Sequence, residues 1–257
     1  MTSIMPPFSL QGRKALVTGG SRGIGAAIAR LFAEAGASVA ICHFGDDAGA
    51  QSLGAEFASA GRSLATRECD VADEAQVTAL ADWTAKVLGA PDILVNCAGI
   101  GGKDKPFGDV TVAEWDRMLG VNLRGVFLVT HAFFPGMVER RYGRIVNIAS
   151  QLAYKGAPGL AAYVAAKAGV VGLTRALSYE GAPHNVMVNG IAPGPVETPL
   201  LMAHSEAWLD MKKGQLPVGR FGQPDEIAPT ALLLASETGG AFYCGQVLSP
   251  NGGDVMV

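Results

Sequence analysis

The sequence predicts a single α/β domain built on a doubly wound parallel sheet with helices on both faces. Three observations carry this. Short apolar runs alternate with stretches of helical periodicity along nearly the whole chain, the runs are continuously apolar, and a glycine-rich turn joins the first run to the first helix. Continuous apolarity suits strands buried on both faces, the condition of a parallel sheet covered by helices. The 257 residues are 49% hydrophobic, enough for one large domain, and no low-complexity linker divides them. We read residues 1–12 as an N-terminal extension and 13–257 as the domain.

The first apolar run, 14–18, is a strand, and 23–35 follows as a helix with Ile24, Ala27, Ile28, Leu31 and Phe32 on one stripe. The unit then repeats: strand 38–42, helix 47–60, strand 64–69, helix 73–88 and strand 93–98. In the second half, 112–119 and 123–140 read as helical, 144–149 as a strand and 160–180 as a long helix. Strands at 186–191 and 246–248 enclose a helix at 225–235, and 200–217 reads as a mobile lid. In such a sheet, ligands lie beyond the carboxyl ends of the strands, at the point where strand order reverses.

Composition excludes several classes. The formal net charge is -3 with only 17% charged residues, so no excess of positive charge argues for nucleic acid. Residues 1–12 lack a basic start followed by an apolar segment, which argues against a secretory signal. The longest apolar stretches, 126–138 and 176–188, are interrupted by Pro, His or Glu before reaching about 18 residues, so no membrane span is expected. Cys42, Cys69, Cys97 and Cys244 form no C-x-x-C pair and read as buried thiols rather than a disulfide framework or metal site, which fits a reducing cytoplasm. The four histidines show no zinc-ligand spacing.

Two segments carry chemistry. In Thr18-Gly19-Gly20-Ser21-Arg22-Gly23-Ile24-Gly25, glycines permit positive φ and let backbone N–H groups approach an anion, while the following helix contributes its N-terminal dipole. In Tyr163-Val164-Ala165-Ala166-Lys167, helical spacing puts a phenol and an ammonium on one face. A neighbouring positive charge favours the phenolate, pulling down a pKa that is otherwise about 10.

Together with Asn96-Cys97-Ala98-Gly99, these segments resemble the short-chain dehydrogenase/reductase family over nearly the whole chain, and so imply a Rossmann-type sheet. The family's mid-chain motif usually reads Asn-Asn-Ala-Gly, so Cys97 is a departure. The resemblance implies an NAD(P)(H)-dependent oxidoreductase moving a hydride between nicotinamide and a carbonyl or secondary alcohol. Tyr163 would be the acid/base, Ser150 would polarise the substrate oxygen, and Lys167 would lower the tyrosine pKa and bind the nicotinamide ribose. Asn122 matches the asparagine whose backbone holds a proton-relay water.

For the cofactor, the resemblance assigns Gly19, Ser21, Arg22, Gly23, Ile24 and Gly25 to the phosphate turn, and Asp70 and Val71 to the adenine. It assigns Asn96, Ala98 and Gly99 to the end of the fourth strand, and Pro193, Gly194, Val196 and Thr198 to the nicotinamide end. His43 stands where NAD enzymes carry a carboxylate, and Arg22 can pair with a 2′-phosphate, so NADP is expected over NAD. An inward Asp46 would restore NAD.

Ser150, Gln151, Tyr154, Leu160 and Tyr163 are expected to border the substrate. Leu200, Leu201, Met202, Trp208 and Met211 are apolar candidates on the lid. The leading specific expectation is a 3-oxoacyl-thioester reductase of the acyl-carrier-protein type, with Arg140, Arg141 and Arg144 as a basic surface for the carrier. Against it, Ala182-Pro183-His184-Asn185 lacks an arginine those reductases generally carry. A sugar, polyol or other alcohol dehydrogenase is the alternative, and a non-catalytic nicotinamide-binding redox sensor is the rival of another class. Helices at 123–140 and 160–180, with the apolar residues 255–257, imply a homotetramer.

Overall fold

The computed structural model describes residues 8–102 and 104–256. Residues 1–7 of the expected extension, and Val257, lie outside them. Seven parallel strands form one sheet in the order β3-β2-β1-β4-β5-β6-β7. These are β1 Lys14–Thr18, β2 Ser38–His43, β3 Leu64–Glu68, β4 Ile93–Asn96, β5 Gly143–Ile148, β6 Val186–Ile191 and β7 Val247–Leu248. The order reverses between β1 and β4, which pair through Ala15 with Ile93 to Thr18 with Asn96. That reversal opens the crevice in which a doubly wound sheet takes its ligand.

Side-chain alternation along β1 divides the core. Ala15 and Val17 face one layer, where they meet Ile28 and Phe32 of α1 (Gly23–Glu34) and Ile227, Ala231 and Leu234 of α10 (Pro224–Ala235). Leu16 faces the other layer with Val77 and Leu80 of α3 (Glu74–Val87), and Leu128, Val129, Phe133 and Met137 of α5 (Gly125–Glu139). The helix α2 (Asp47–Ser59) joins the first layer through Ala50, Leu53 and Phe57. Leu10 is buried in that layer as well, its N–H donating to the Ala35 carbonyl at 2.8 Å.

Between α4 (Val112–Leu119) and α5 lies a single π turn, Gly120–Arg124, where the Gly125 N–H reaches back to the Gly120 carbonyl. The helix therefore does not break at Gly120, as the two separate sequence patterns suggest. The joined rod, Val112–Glu139, is by length and composition long and apolar enough to cross a membrane. The core helix of a soluble protein passes the same test. Half of its most apolar window is buried inside the protein, where its apolar residues cover the sheet.

Two further helices lie where a lid was expected, α8 (Pro199–Met202) and α9 (Glu206–Gly214). The long helix α7 (Ala161–Gly181) is preceded by the short α6 (Leu152–Lys155), and α11 (Glu237–Gly240) follows α10.

Candidate active site

The glycine turn between β1 and α1 is shaped by close backbone contact. Gly19 has φ +63°, and a Cβ there would lie 2.8 Å from the Ala98 Cα. A Cβ on Gly25 would lie 2.2 Å from the Gly19 carbonyl oxygen. Only bare backbone fits, and the first turn of α1, Gly23-Ile24-Gly25-Ala26, carries no carboxylate. Its free N–H groups thus face the crevice as an anion site suited to a dinucleotide diphosphate. Across the crevice, a Cβ on Gly23 would meet the Thr198 methyl at 3.2 Å, so the turn and the segment before α8 stand side by side.

Thr18, which ends β1, ties the turn to the next strand. Its buried Oγ1 accepts from the N–H groups of Cys97 and Ala98 at 3.0 and 3.1 Å. A hydroxyl closing a strand just before the glycines was the available sequence signal for this role. Asn96 spends its side chain inside the protein, donating to Thr130 at 2.9 Å and to Asn147 at 2.8 Å. Asn147 in turn donates to Thr174. This buried polar chain joins β4 and β5 to α5 and α7.

Asn122 sits in the π turn, fully buried. Its amide donates to the Ile100 carbonyl at 3.0 Å and its Oδ1 accepts from the Ile100 N–H at 3.2 Å. A Cβ on Gly99 would lie 2.7 Å from that Oδ1 and 3.6 Å from Lys167 Nζ. The loop after β4, the π turn and the α7 lysine therefore converge on one point.

Ser150 follows the end of β5 and is held by the ladder running past it, with Ala149 N–H donating to Ile191 O at 2.7 Å and Gln151 N–H to Pro193 O at 3.0 Å. Tyr163 comes from the first turn of α7, with the Ser150 hydroxyl near enough to its phenol to lower the phenol's pKa. Lys167, one turn on, is buried and donates to the Ile148 carbonyl at 2.8 Å, with Nζ 5.8 Å from the Tyr163 ring centre. Serine, tyrosine and lysine face one another at the carboxyl edge of the sheet.

Their electrostatics differ from the sequence expectation. Burial, the largest influence, raises the Tyr163 phenol above its ordinary value, and the Ser150 hydrogen bond opposes it. Lys167 is itself pushed down to about 8 by burial. Where the phenol titrates, above its ordinary value of about 10, a lysine of pKa about 8 has already lost its proton, so no ammonium there pulls the phenol down. The Cys97 thiol stands close enough to feel Lys167, yet burial drives it up to about 11, so it stays neutral.

At the expected adenosine end, the Asp70 carboxylate pairs with Arg117 at 2.8 Å and accepts from the Ala72 N–H at 3.0 Å. It is therefore not the cap of α3, a role that Asp73 fills. Val71 is buried against Gly125. His43 ends β2, buried, with Nδ1 3.8 Å from an Asp47 oxygen. Asp46 is turned inward: its Oδ2 accepts from Ser21 at 2.6 Å and lies 3.9 Å from Arg22 Nε. At the other end, the Gly194 N–H donates to Pro250 O, Val196 is buried, and Thr198 caps α8.

Of the expected substrate residues, Gln151 is buried beside Ser150, and Leu160 caps the start of α7. Tyr154 lies farther along α6. Its ring packs with the cluster of Val126, Val170 and Val171, near enough to Arg175 to feel that charge, so α6 turns it along the flank of α7. The lid residues also divide. Leu201 and Trp208 pack with Leu209, Leu216 and Phe221 in a cluster of their own, Met202 and Met211 are exposed, and Leu200 leans onto Gly101.

Arg140, Arg141 and Arg144 are not near the site. They stand at the entrance of β5, with Arg140 donating to Pro91 O, Arg141 to Pro183 O, and Arg144 buried against Tyr142. A strand rises ~3.3 Å per residue, so the length of β5 separates them from Ser150.

Residues 19–254 match the family profile described as enoyl-(acyl carrier protein) reductase. The chain belongs to the short-chain dehydrogenase/reductase family. It is an oxidoreductase acting on carbonyl and hydroxyl groups. An acetoacetyl-CoA reductase of Shinella zoogloeoides is 44% identical over 247 residues, 95% of this chain and 99% of that one. The 3-oxoacyl-[acyl-carrier-protein] reductase FabG of Aquifex aeolicus is 40% identical over 96% of this chain and 98% of its own. Among solved structures, a gluconate 5-dehydrogenase from Burkholderia cenocepacia in complex with NADP and tartrate superposes with a TM-score of 0.90. It shares 37% identity and covers 98% of each chain.

Proposed function

We propose that this short-chain dehydrogenase/reductase is an NADP(H)-dependent reductase of 3-oxoacyl thioesters, working through Ser150, Tyr163 and Lys167 with Asn122 as their support. The observation that carries the reading is the meeting of Ser150 and Tyr163 with buried Lys167, which lies one helical turn on and 5.8 Å from the phenol ring centre. Bound nicotinamide would supply the hydride to the carbonyl carbon. As the carbonyl oxygen gains negative charge, the hydroxyls of Ser150 and Tyr163 donate to it, and the Tyr163 proton completes the alcohol. The raised phenol keeps that proton available at neutral pH. Lys167, fixed by Ile148, would donate to the nicotinamide ribose.

The thioester is supported by the names of the reductases at 44% and 40% identity; NADP is supported by the bound cofactor of the gluconate 5-dehydrogenase, while the inward Asp46, the feature expected to restore NAD, argues the other way. For the cofactor ends we keep the residues assigned above: the glycine turn with Arg22, then Asp70 and Val71, and finally Pro193, Gly194, Val196 and Thr198. A second reading, a sugar or polyol dehydrogenase, is favoured by one observation: the Gln151 Oε1 is buried and has no hydrogen-bond partner, which suits an acceptor for a substrate hydroxyl.

We further propose a cytoplasmic homotetramer with 13–257 as its domain. Exposed Phe127 on α5, Tyr179 on α7 and Phe242 before β7 support association.

The deciding measurement is NADPH oxidation with acetoacetyl-CoA, set against a panel of ketones, sugars and polyols. Inertness toward the thioester with turnover of a sugar would replace the first reading by the second. Tyr163→Phe should cost about two or more decades in kcat through lost acid/base catalysis, with nucleotide binding retained. A variant as active as the wild type would leave only a nicotinamide-binding sensor.

A further inference from the structure

Away from the reacting groups, three side chains from two distant segments meet on a single carboxylate. Asp254, with a side chain only 4% exposed, lies in the segment after β7. Its Oδ2 accepts from Gln151 Nε2 at 2.7 Å. Its Oδ1 accepts from Lys155 Nζ at 2.6 Å and from Lys212 Nζ at 2.8 Å. Gln151 is the residue directly after Ser150 and is itself buried. Lys155 ends α6, and Lys212 is a buried residue of α9, the helix after α8.

The arrangement costs a desolvated carboxylate and a desolvated ammonium, and such groups persist only where the geometry compensates them. Burial by itself would push the Asp254 carboxyl up, but the hydrogen bonds from Lys155 and Lys212 outweigh it and hold it below its ordinary value. The surrounding backbone is equally constrained. A Cβ on Gly194 would lie 2.6 Å from Asn251, and one on Gly253 2.7 Å from Pro217. Asp254 is thereby fixed against both the turn after β6 and the end of the lid segment.

We infer that Asp254 is a positioning residue for the reductase reaction. Through Gln151 it holds the backbone that aims Ser150, and through Lys212 it anchors α9 over the substrate side of the crevice. The two arms are separable. Loss of the Lys212 arm frees α9 and weakens substrate binding, whereas loss of the carboxylate disturbs both the lid and the serine loop. Nucleotide binding rests chiefly on the glycine turn across the sheet, which Asp254 does not touch, although Gly194 at the nicotinamide end packs on the neighbouring Asn251.

Asp254→Asn and Lys212→Met test this in the full-length enzyme, with steady-state kinetics on whichever carbonyl substrate the panel identifies and NADPH binding followed by fluorescence. Asp254→Asn should lower kcat/KM at least tenfold, with part of the loss in kcat. Lys212→Met should raise KM at least fivefold with kcat within twofold of wild type. Both should leave the NADPH Kd within twofold. Asp254→Asn kinetics within twofold of wild type would overturn the assignment. So would a parallel loss of NADPH binding in Asp254→Asn, because that reports general loosening. A Lys212→Met effect on kcat alone would overturn the lid arm.

Discussion

Lys167 stands between two demands: it must be close enough to Tyr163 and the ribose to act, yet burial there makes its charge expensive. Folding pushes it down to about 8, whereas an unfolded lysine holds its proton to about 10.4. Between those values the unfolded chain binds more protons, so stability rises with pH across the window. Relative to Lys167→Met, the wild-type protein should gain about 2 kcal/mol between pH 8 and 10, as measured by urea unfolding. A flat difference would show that the lysine is better solvated than its burial implies. A second residue-scale tension is Asp46, whose carboxylate is bonded to Ser21 beside Arg22. It competes with a 2′-phosphate for that guanidinium, so Asp46→Asn should raise the NADPH-to-NADH ratio of kcat/KM about tenfold. Residues of this kind were legible as types, since Ser150, Tyr163 and Lys167 converge as their spacing implied. The inward turn of Asp46 was not legible, because it depends on one hydroxyl in a different loop.

At the scale of elements, the apolar runs located every strand, and in β1, β2, β4, β5 and β6 burial on both faces leaves little polar alternation to confuse the reading, whereas β3 and β7 are only partly buried. Errors gathered at ends, where a strand or helix gives way to the loop that carries chemistry. The strand expected over 93–98 stops at Asn96, because Thr18 captures the next two N–H groups from the side. The π turn was invisible for a related reason: it is a shift of one hydrogen bond, not of composition. Its cost and use meet in Asn122, which satisfies both backbone groups of Ile100. Asn122→Ala should destabilise the protein by about 1–3 kcal/mol by leaving those groups unpaired, measurable by denaturant titration. Asn122→Asp should recover less than half of that, since a carboxylate cannot donate to the Ile100 carbonyl. The arginines of the 140–144 region show the converse error. They are near Ser150 in sequence, yet an intervening strand sends them to the opposite edge.

The whole molecule is one sheet with two helical layers, and the apolar surface left outside those layers bears on assembly. Phe127 is 48% exposed on the outer face of a helix whose inner face is committed to the core, beside His131 at a ring separation of 5.5 Å. Sedimentation should give four times the chain mass, and Phe127→Glu should shift the protein to smaller species by placing a charge in a desolvated contact. A wild-type monomer would remove the tetramer proposal. The tie made by Asp254 has a consequence of a different kind. The first wall of the crevice is laid down by residue 19 and the last bolt by residue 254, while neighbouring strands β1 and β4 are more than seventy residues apart in the chain. A polypeptide still being synthesised can collapse and build much of its sheet, yet cannot seat its serine loop against the Asp254 carboxylate until residue 254 has left the ribosome. Seating of that loop therefore waits on a carboxylate 103 positions downstream of Gln151.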